Sequence, residues 1–147
     1  MLRTIEESDT ETIYKLNQSI FKDEIIYDKE YLNRLCKLKQ GYIMNHDDIP
    51  AGYLLYGMTR CKDKRLFTVI SIGVEDKYRK NRYGTNLMNK LIEQYPDKEI
   101  SLHVRVKNII AQKLYANMGF KITDTEKGYY PSLNDDAYHM VRPAHKN

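Results

Sequence analysis

The chain has 147 residues, 41% hydrophobic and 30% charged, with a formal net charge of +4 at pH 7. That length predicts one domain over residues 1–147 that buries roughly two-thirds of its unfolded surface, and the composition excludes a disordered chain. No apolar stretch approaches membrane-spanning length, and the start Met1-Leu2-Arg3-Thr4-Ile5-Glu6-Glu7 has no signal-peptide core, so a cytoplasmic protein without a membrane partner is expected.

Cys36 and Cys61 share no metal-ligand spacing, which predicts reduced structural thiols and no metal. The modest positive charge permits an anionic ligand or a ribosome-associated partner without requiring either. Thirteen tyrosines beside no tryptophan place several polar-tipped rings on a surface or in a site.

In chain order, Leu2 to Glu6 reads as a strand, and Ser8-Asp9-Thr10-Glu11 has a capping-box pattern. The following helix puts Ile13, Leu16, Ile20 and Phe21 on one face. A short helix after Asp28 turns Tyr31, Leu32, Leu35 and Leu38 inward. Gly41 to Asn45, Ala51 to Thr59 and Leu66 to Val74 are predicted strands, made into an antiparallel meander by turns at His46-Asp47-Asp48 and Lys62-Asp63-Lys64. A helix with Leu87, Met88, Leu91 and Ile92 inward comes next. Ile100 to Val106 alternates like a strand. Asn108 can cap a helix whose inward residues are Ile110, Ala111, Leu114 and Tyr115, and Gly119 sits in its C-cap position. Two strands near Lys121 to Thr125 and Ala137 to Val141 flank a loop containing Gly128-Tyr129-Tyr130-Pro131. Together these elements predict an α/β fold with a mixed, mainly antiparallel sheet flanked by helices.

The most informative segment is Asp76-Lys77-Tyr78-Arg79-Lys80-Asn81-Arg82-Tyr83-Gly84-Thr85, directly after the apolar run Phe67 to Val74. A helix N-terminus has unpaired N–H groups and a partial positive charge, so four cations there are unfavourable unless a polyanion docks on the helix end. The alternative is a solvated charge run. Neither Gly-x-x-x-x-Gly-Lys-Ser/Thr nor Gly-x-Gly-x-x-Gly is present, which disfavours a nucleoside-triphosphate loop and a dinucleotide fold.

The segment Arg79-Lys80-Asn81-Arg82-Tyr83-Gly84-Thr85 resembles the Arg/Gln-x-x-Gly-x-Gly/Ala loop with which the GNAT acyltransferases bind the diphosphate of acetyl-CoA. The resemblance continues through Leu102-His103-Val104-Arg105-Val106-Lys107-Asn108, Leu114-Tyr115-Ala116-Asn117-Met118-Gly119-Phe120 and Lys127-Gly128-Tyr129-Tyr130. With Leu16 to Phe21 it covers most of the chain, from about residue 12 to 142. The set is similar to the N-terminal protein acetyltransferases of the NatE catalytic-subunit kind, which act on Met-Xaa starts, and next to the bacterial ribosomal-protein-alanine N-acetyltransferases.

The resemblance implies a GNAT fold, acetyl-CoA as co-substrate and a protein N-terminus as acceptor. It implies His103 as the base, working through an ordered water, and Tyr115 as the acid that protonates the departing thiolate. For the cofactor it implies Arg79, Lys80, Asn81, Arg82, Tyr83, Gly84, Thr85, Asn108 and Tyr115, with backbone N–H groups near Ile72, Gly73 and Val74 holding the thioester oxygen. For the acceptor it implies Tyr129 and Tyr130, which hydrogen-bond the substrate backbone, Phe21 and Tyr27 as an opposite wall, and Ile70 as the pocket floor. On position alone, His103 is more often a hydrogen-bonded core histidine than a catalyst, and Tyr115 is as readily a core aromatic.

Three departures stand out. Arg82 occupies the loop's first glycine position, where arginine loses glycine's close approach and uncommon dihedrals, though its guanidinium can meet a phosphate. Thr68 stands where the family has a tyrosine that partners the histidine; threonine can hold a water but does not titrate usefully, leaving Glu75 and Asp76 as fallback bases. The segment Phe21-Lys22-Asp23-Glu24-Ile25-Ile26-Tyr27 lacks the family's proline and is longer, and Asp23 and Glu24 suit a basic start. A water-mediated histidine still suffices for an α-amine, which is about a quarter neutral at about pH 7.4, against about 0.1% for a lysine.

The expected partners are protein or nascent-peptide N-termini, with other acetyltransferase subunits or the ribosome as further candidates, and no specific nucleic acid. The competing readings are a lysine or small-amine acetyltransferase, a catalytically weak subunit of a larger acetyltransferase, and an RNA-binding module using the basic loop.

Overall fold

The computed structural model describes residues 1–22, 26–130 and 135–144. Asp23, Glu24, Pro131 and the tail from His145 therefore lie outside the described residues. In chain order the elements are β1 (Leu2–Thr4), α1 (Thr10–Phe21), α2 (Lys29–Lys37), β2 (Gly41–His46), β3 (Ile49–Cys61), β4 (Lys64–Val74), α3 (Tyr83–Gln94), β5 (Ile100–Arg105), α4 (Ile109–Asn117), β6 (Lys121–Tyr130) and β7 (Asp135–Arg142). The α/β class and the mixed, mainly antiparallel sheet are as expected: β1–β2, β2–β3, β5–β7 and β6–β7 pair antiparallel, and β4–β5 pair parallel. The chain groups into two compact units, Met1–Gly57 with Val69–Gln94, and Met58–Thr68 with the described part of Tyr95–Asn147.

In the first unit, α1 and α2 close over β2 and β3. Ile13 and Leu16 of α1, Leu32, Leu35 and Cys36 of α2, and Ile43, Tyr53 and Leu55 of the strands form one buried cluster. Each such aliphatic side chain gains roughly 1.5–3 kcal/mol from leaving water. The helix expected after Asp28 is present, and Asp28 caps it, its carboxylate accepting the Tyr31 N–H at 2.8 Å. Leu38 differs: α2 ends at Lys37, Leu38 takes the C-cap position, and its side chain is 62% exposed. The expected box at Ser8 lies a turn earlier, where the Asp9 carboxylate accepts from the Glu6 N–H (2.8 Å) and holds Arg3 at 2.7 Å. The Arg3 hydrogen bond keeps the Asp9 carboxyl below its usual range. Asp47 and Asp48 both take left-handed dihedrals (φ 48 and 69), which makes the tight β2–β3 hairpin turn read from the sequence.

In the second unit, the start of β4 meets β5 at Thr68↔Ser101, β5 pairs with β7, and β7 with β6. Ile100, Leu102, Val104, Tyr115, Phe120, Ala137 and Met140 are its buried apolar residues. Asn108 caps α4, accepting the Ala111 N–H at 3.1 Å, and Gly119 follows the helix at φ 95. The inward face of α4 is rotated from expectation: Tyr115 is buried, but Ile110 is 84% exposed because it falls in the first turn, just past the cap. β6 also runs further than Thr125. Tyr129 and Tyr130 end this strand and are not loop residues.

Candidate active site

Ahead of α3, Asp76–Tyr78 forms a short 3-10 turn, and Arg79 pairs with Asp76 at 3.0 Å. The Asn81 side-chain amide donates to the Tyr78 carbonyl at 2.8 Å. The Asn86 N–H bonds back to the Arg82 carbonyl at 3.0 Å, so the N–H groups of Tyr83, Gly84 and Thr85 lie ahead of the helical ladder. Lys77, Arg79, Lys80 and Arg82 are exposed around Tyr78 or Tyr83, an arrangement whose charge and free helix end suit an anion. Arg82 corrects one expectation. It has not lost the glycine dihedral but adopts it, at φ 62, as does Lys80 at φ 73. A left-handed conformation costs a non-glycine residue about 1–2 kcal/mol.

At the far end of β4, Ile70, Ile72, Gly73 and Val74 are half-buried. A Cβ at Gly73 would lie 3.0 Å from Ile20 Cγ2 and 3.1 Å from Phe21 Cε2, so glycine lets the end of α1 rest on this strand. The Tyr27 hydroxyl donates to the Ile70 carbonyl at 3.0 Å, and its N–H donates to Asn17 Oδ1 at 3.0 Å. The Asn17 amide donates to the Tyr53 hydroxyl (3.1 Å), which meets Ser71 Oγ at 2.8 Å. Burial pushes the Tyr53 phenol up to about 12, so it stays protonated and serves as a structural strut. The first unit thus gathers Phe21, Tyr27 and Ile70 around one buried polar network. Of the two fallback bases, Asp76 holds Arg79 at 3.0 Å, and Glu75 is half-buried just past the end of β4.

The second unit assembles its chemistry around His103 on β5. Its ring stacks on Tyr129 (centroids 4.3 Å, planes 8° apart) and on His139 of β7 (4.8 Å, 14°). Its Nε2 lies 3.3 Å from Glu126 Oε1. Burial is the main influence on this imidazole and lowers its pKa below the ordinary 6.5, helped by the neighbouring His139 and opposed by Glu126. At neutral pH the ring is therefore uncharged and able to take a proton. Tyr130 meets Tyr129 edge-on at 4.9 Å, and burial raises both phenols.

A bulge makes this arrangement possible. Glu126 and Tyr129 are three residues apart and would point to opposite faces of a regular strand. Between Glu126 and Tyr130 the β6 register shifts, Gly128 sits at φ 66, and its N–H donates to Asp136 Oδ1 at 2.8 Å. The extra length turns both side chains onto His103.

Thr68 corrects a second expectation. It is buried, with Oγ1 2.7 Å from Thr59 Oγ1 and 2.9 Å from Ser101 Oγ, so its hydroxyl is committed to neighbouring strands and is not the holder of a water. Tyr115 is buried against Phe120, ring centroids 5.9 Å apart, and burial pushes its phenol up to about 12. Asn108 uses its carbonyl oxygen as the α4 cap, leaving its amide as a donor.

Glu126 and His139 went unnoticed in the sequence, and Cys61, read there only as a structural thiol, donates to Glu126 Oε1 at 3.5 Å. His139 is recoverable from the strand register, since His103↔His139 are direct partners. Glu126 and Cys61 reach the site through the bulge and through the β3 end, which no spacing announces.

The first unit thus carries a basic helix start, and the second carries a half-buried histidine among aromatic and acidic side chains. Residues 6–120 match the model of the "Acetyltransferase (GNAT) family". An N-alpha-acetyltransferase of Saccharolobus solfataricus is 40% identical over 109 residues, covering 66% of this chain and 65% of that protein. The N-alpha-acetyltransferase daf-31 of Caenorhabditis elegans is 39% identical over 104 residues, covering 67% of this chain and 57% of that protein. The matched region thus spans less than two-thirds of both relatives. In fold, the chain matches Arabidopsis thaliana Naa50, solved in complex with the bisubstrate analogue CoA-Ac-MVNAL, with a TM-score of 0.84, 24% identity and 97% of each chain covered. With the matched segment taking in β2 to β5, the basic turn and α4, the chain belongs to the acetyltransferase (GNAT) family.

Proposed function

We propose that this protein transfers the acetyl group of acetyl-CoA to the N-terminal α-amine of proteins, Met-Xaa starts among them. The observation that carries the proposal is His103: a half-buried imidazole stacked on Tyr129, with its pKa lowered by burial, suited to an amine that already loses its proton near neutral pH. The relatives named N-alpha-acetyltransferase and the Met-start analogue bound to Naa50 support it.

In this mechanism the diphosphate of acetyl-CoA sits on the N–H groups of Tyr83, Gly84 and Thr85, with Arg79, Lys80, Asn81 and Arg82 around it and the Asn108 amide as a further donor. Backbone N–H groups of Ile72, Gly73 and Val74 hold the developing oxyanion. His103 takes the α-amine proton through a water, the amine attacks the thioester carbon, and the C–S bond breaks. Tyr115, kept protonated by burial, gives its proton to the leaving sulfur. Tyr129 and Tyr130 hydrogen-bond the acceptor backbone, and Phe21, Tyr27 and Ile70 contact its first side chain. The work is cytoplasmic, on completed or nascent chains, alone or beside further acetyltransferase subunits or the ribosome. Among the described residues no helix is long and apolar enough to cross a membrane.

The test is a peptide panel starting Met-Leu, Met-Lys, Ala and Ser, each beside an N-blocked twin containing lysine, with acetyl-CoA. Acetylation confined to free N-termini supports the proposal and ranks the first-residue preference. Acetylated blocked twins assign the enzyme to lysine, and acetyl-CoA binding without turnover assigns the chain to a weak subunit, the reading favoured by Arg82's strained dihedral and Thr68's committed hydroxyl.

A further inference from the structure

The space between β5, β6 and the end of β3 contains more than a catalytic base needs. Cys61 Sγ, His103 Nε2 and Glu126 Oε1 all lie within 4.8 Å of one another. The sulfur is 3.5 Å and the ring nitrogen 3.3 Å from the carboxylate oxygen. In a tetrahedral zinc site, bond lengths of about 2.0 Å to nitrogen and oxygen and about 2.3 Å to sulfur give edges of about 3.3 Å between nitrogen and oxygen and about 3.5 Å between sulfur and oxygen. The two observed separations match those edges.

The direction of the histidine nitrogen adds a second observation. Nε2 is buried and, despite its distance from Glu126, makes no aligned hydrogen bond. A hydrogen-bonded pair points donor at acceptor, whereas metal ligands aim at a common centre between them. The donor set also selects the ion. A thiolate sulfur disfavours magnesium and calcium, while sulfur, imidazole and carboxylate together suit zinc, and a thiolate with a carboxylate balances its charge. Tyr129 covers one face of the histidine ring at 4.3 Å, and the three ligating residues are half-buried.

We propose that Cys61, His103 and Glu126 form a three-ligand site for Zn²⁺, with the fourth position left to water, and that its occupation switches the enzyme off by taking the lone pair of His103. The inhibitory half rests on His103 acting as the base; the binding half does not.

The test uses Co²⁺ as a spectroscopic probe of metal-free protein and Zn²⁺ in the peptide assay. Expected is saturation at one equivalent, with tetrahedral cobalt bands and a thiolate-to-cobalt charge-transfer band. Cys61→Ser should lose the charge-transfer band and bind at least about tenfold more weakly, since even outer-shell changes cost about 10–100-fold. Glu126→Gln should weaken binding while keeping the band. Zn²⁺ should inhibit the wild-type protein and leave Cys61→Ser active at the same concentration. Equal cobalt affinity in the wild-type protein and Cys61→Ser, or a charge-transfer band that survives in Cys61→Ser and so belongs to Cys36, overturns the site. Binding without inhibition in an active enzyme overturns the switch. The cobalt titration needs no substrate, so it decides the site even where no peptide is acetylated.

Discussion

Ahead of α3 the charge is exposed, and the groups set to meet a ligand are backbone N–H groups that any sequence would supply at a helix start. Around His103 the polar groups are mostly half-buried, and each comes as a particular side chain from another strand: Glu126 and Tyr129 from β6, His139 from β7, Cys61 from β3. The first arrangement tolerates substitution, since an arginine stands at a glycine position without removing the turn. The second does not, because a half-buried imidazole responds to its close neighbours more strongly than a solvated group would. Cofactor affinity should therefore fall in small steps as the turn is altered. Turnover should fall in large steps as the histidine's surroundings change.

The largest step is His103→Ala. Removing a positioned base slows turnover by about 10²–10⁴-fold. Acetyl-CoA affinity, measured by calorimetry, should stay within a factor of about two to three, well inside the energy of one hydrogen bond. A loss of cofactor binding as large as the loss of kcat would show that the two regions are not separable as described.

Tyr129→Ala is next. It removes the ring over His103 and a contact proposed for the peptide backbone. An aromatic contact is worth about 0.5–1.5 kcal/mol, so the peptide KM should rise up to about tenfold, with a smaller change in kcat. A fall in kcat alone would make the ring a support for the histidine and not part of the acceptor surface.

Glu126→Gln sharpens the comparison electrostatically. Burial already holds the His103 pKa below 6.5, and Glu126 is the neighbour pulling it upward. Without that carboxylate the imidazole should titrate at still lower pH, read from the His103 ring-proton resonance in chelator-treated protein. The sign for stability follows. Because the folded pKa lies below the unfolded 6.5, the unfolded chain binds the proton more readily, and stability is lost as pH falls below about 6.5. Denaturant midpoints measured across that range should fall toward acid, and more steeply in Glu126→Gln.

The same contrast explains what the sequence could and could not disclose. Asn108 and Gly119 act over a few residues of chain, and each was readable as a cap. The basic turn was readable because its chemistry lies in a contiguous run. Leu38 and Ile110 misled because apolar character near a helix end says little about the face it presents once the cap fixes the phase. Thr68's engagement with Thr59 and Ser101, and the gathering of Glu126 and Cys61 on His103, required strand register and a bulge. Gly128 was the one local sign of that bulge, and a glycine between a charged pair and two tyrosines equally suggests a loop.

The smallest effect is the most pointed test of the turn. Arg82 holds φ 62, and Arg82→Gly should relieve that dihedral while adding freedom to the unfolded chain. The first contribution stabilises by about 1–2 kcal/mol and the second destabilises by up to about 1 kcal/mol, so a net gain between about 0 and 2 kcal/mol is expected in urea unfolding. For the cofactor, the substitution trades one cation for closer backbone approach. If the N–H groups of Tyr83, Gly84 and Thr85 dominate binding, the acetyl-CoA KM falls or holds, and its salt dependence flattens because one screened charge is gone. If KM instead rises several-fold at low salt and the difference vanishes at high salt, the guanidinium has replaced the backbone as the principal phosphate contact. The turn would then hold its ligand by side chain, as the histidine face does, and the contrast between the two regions would disappear.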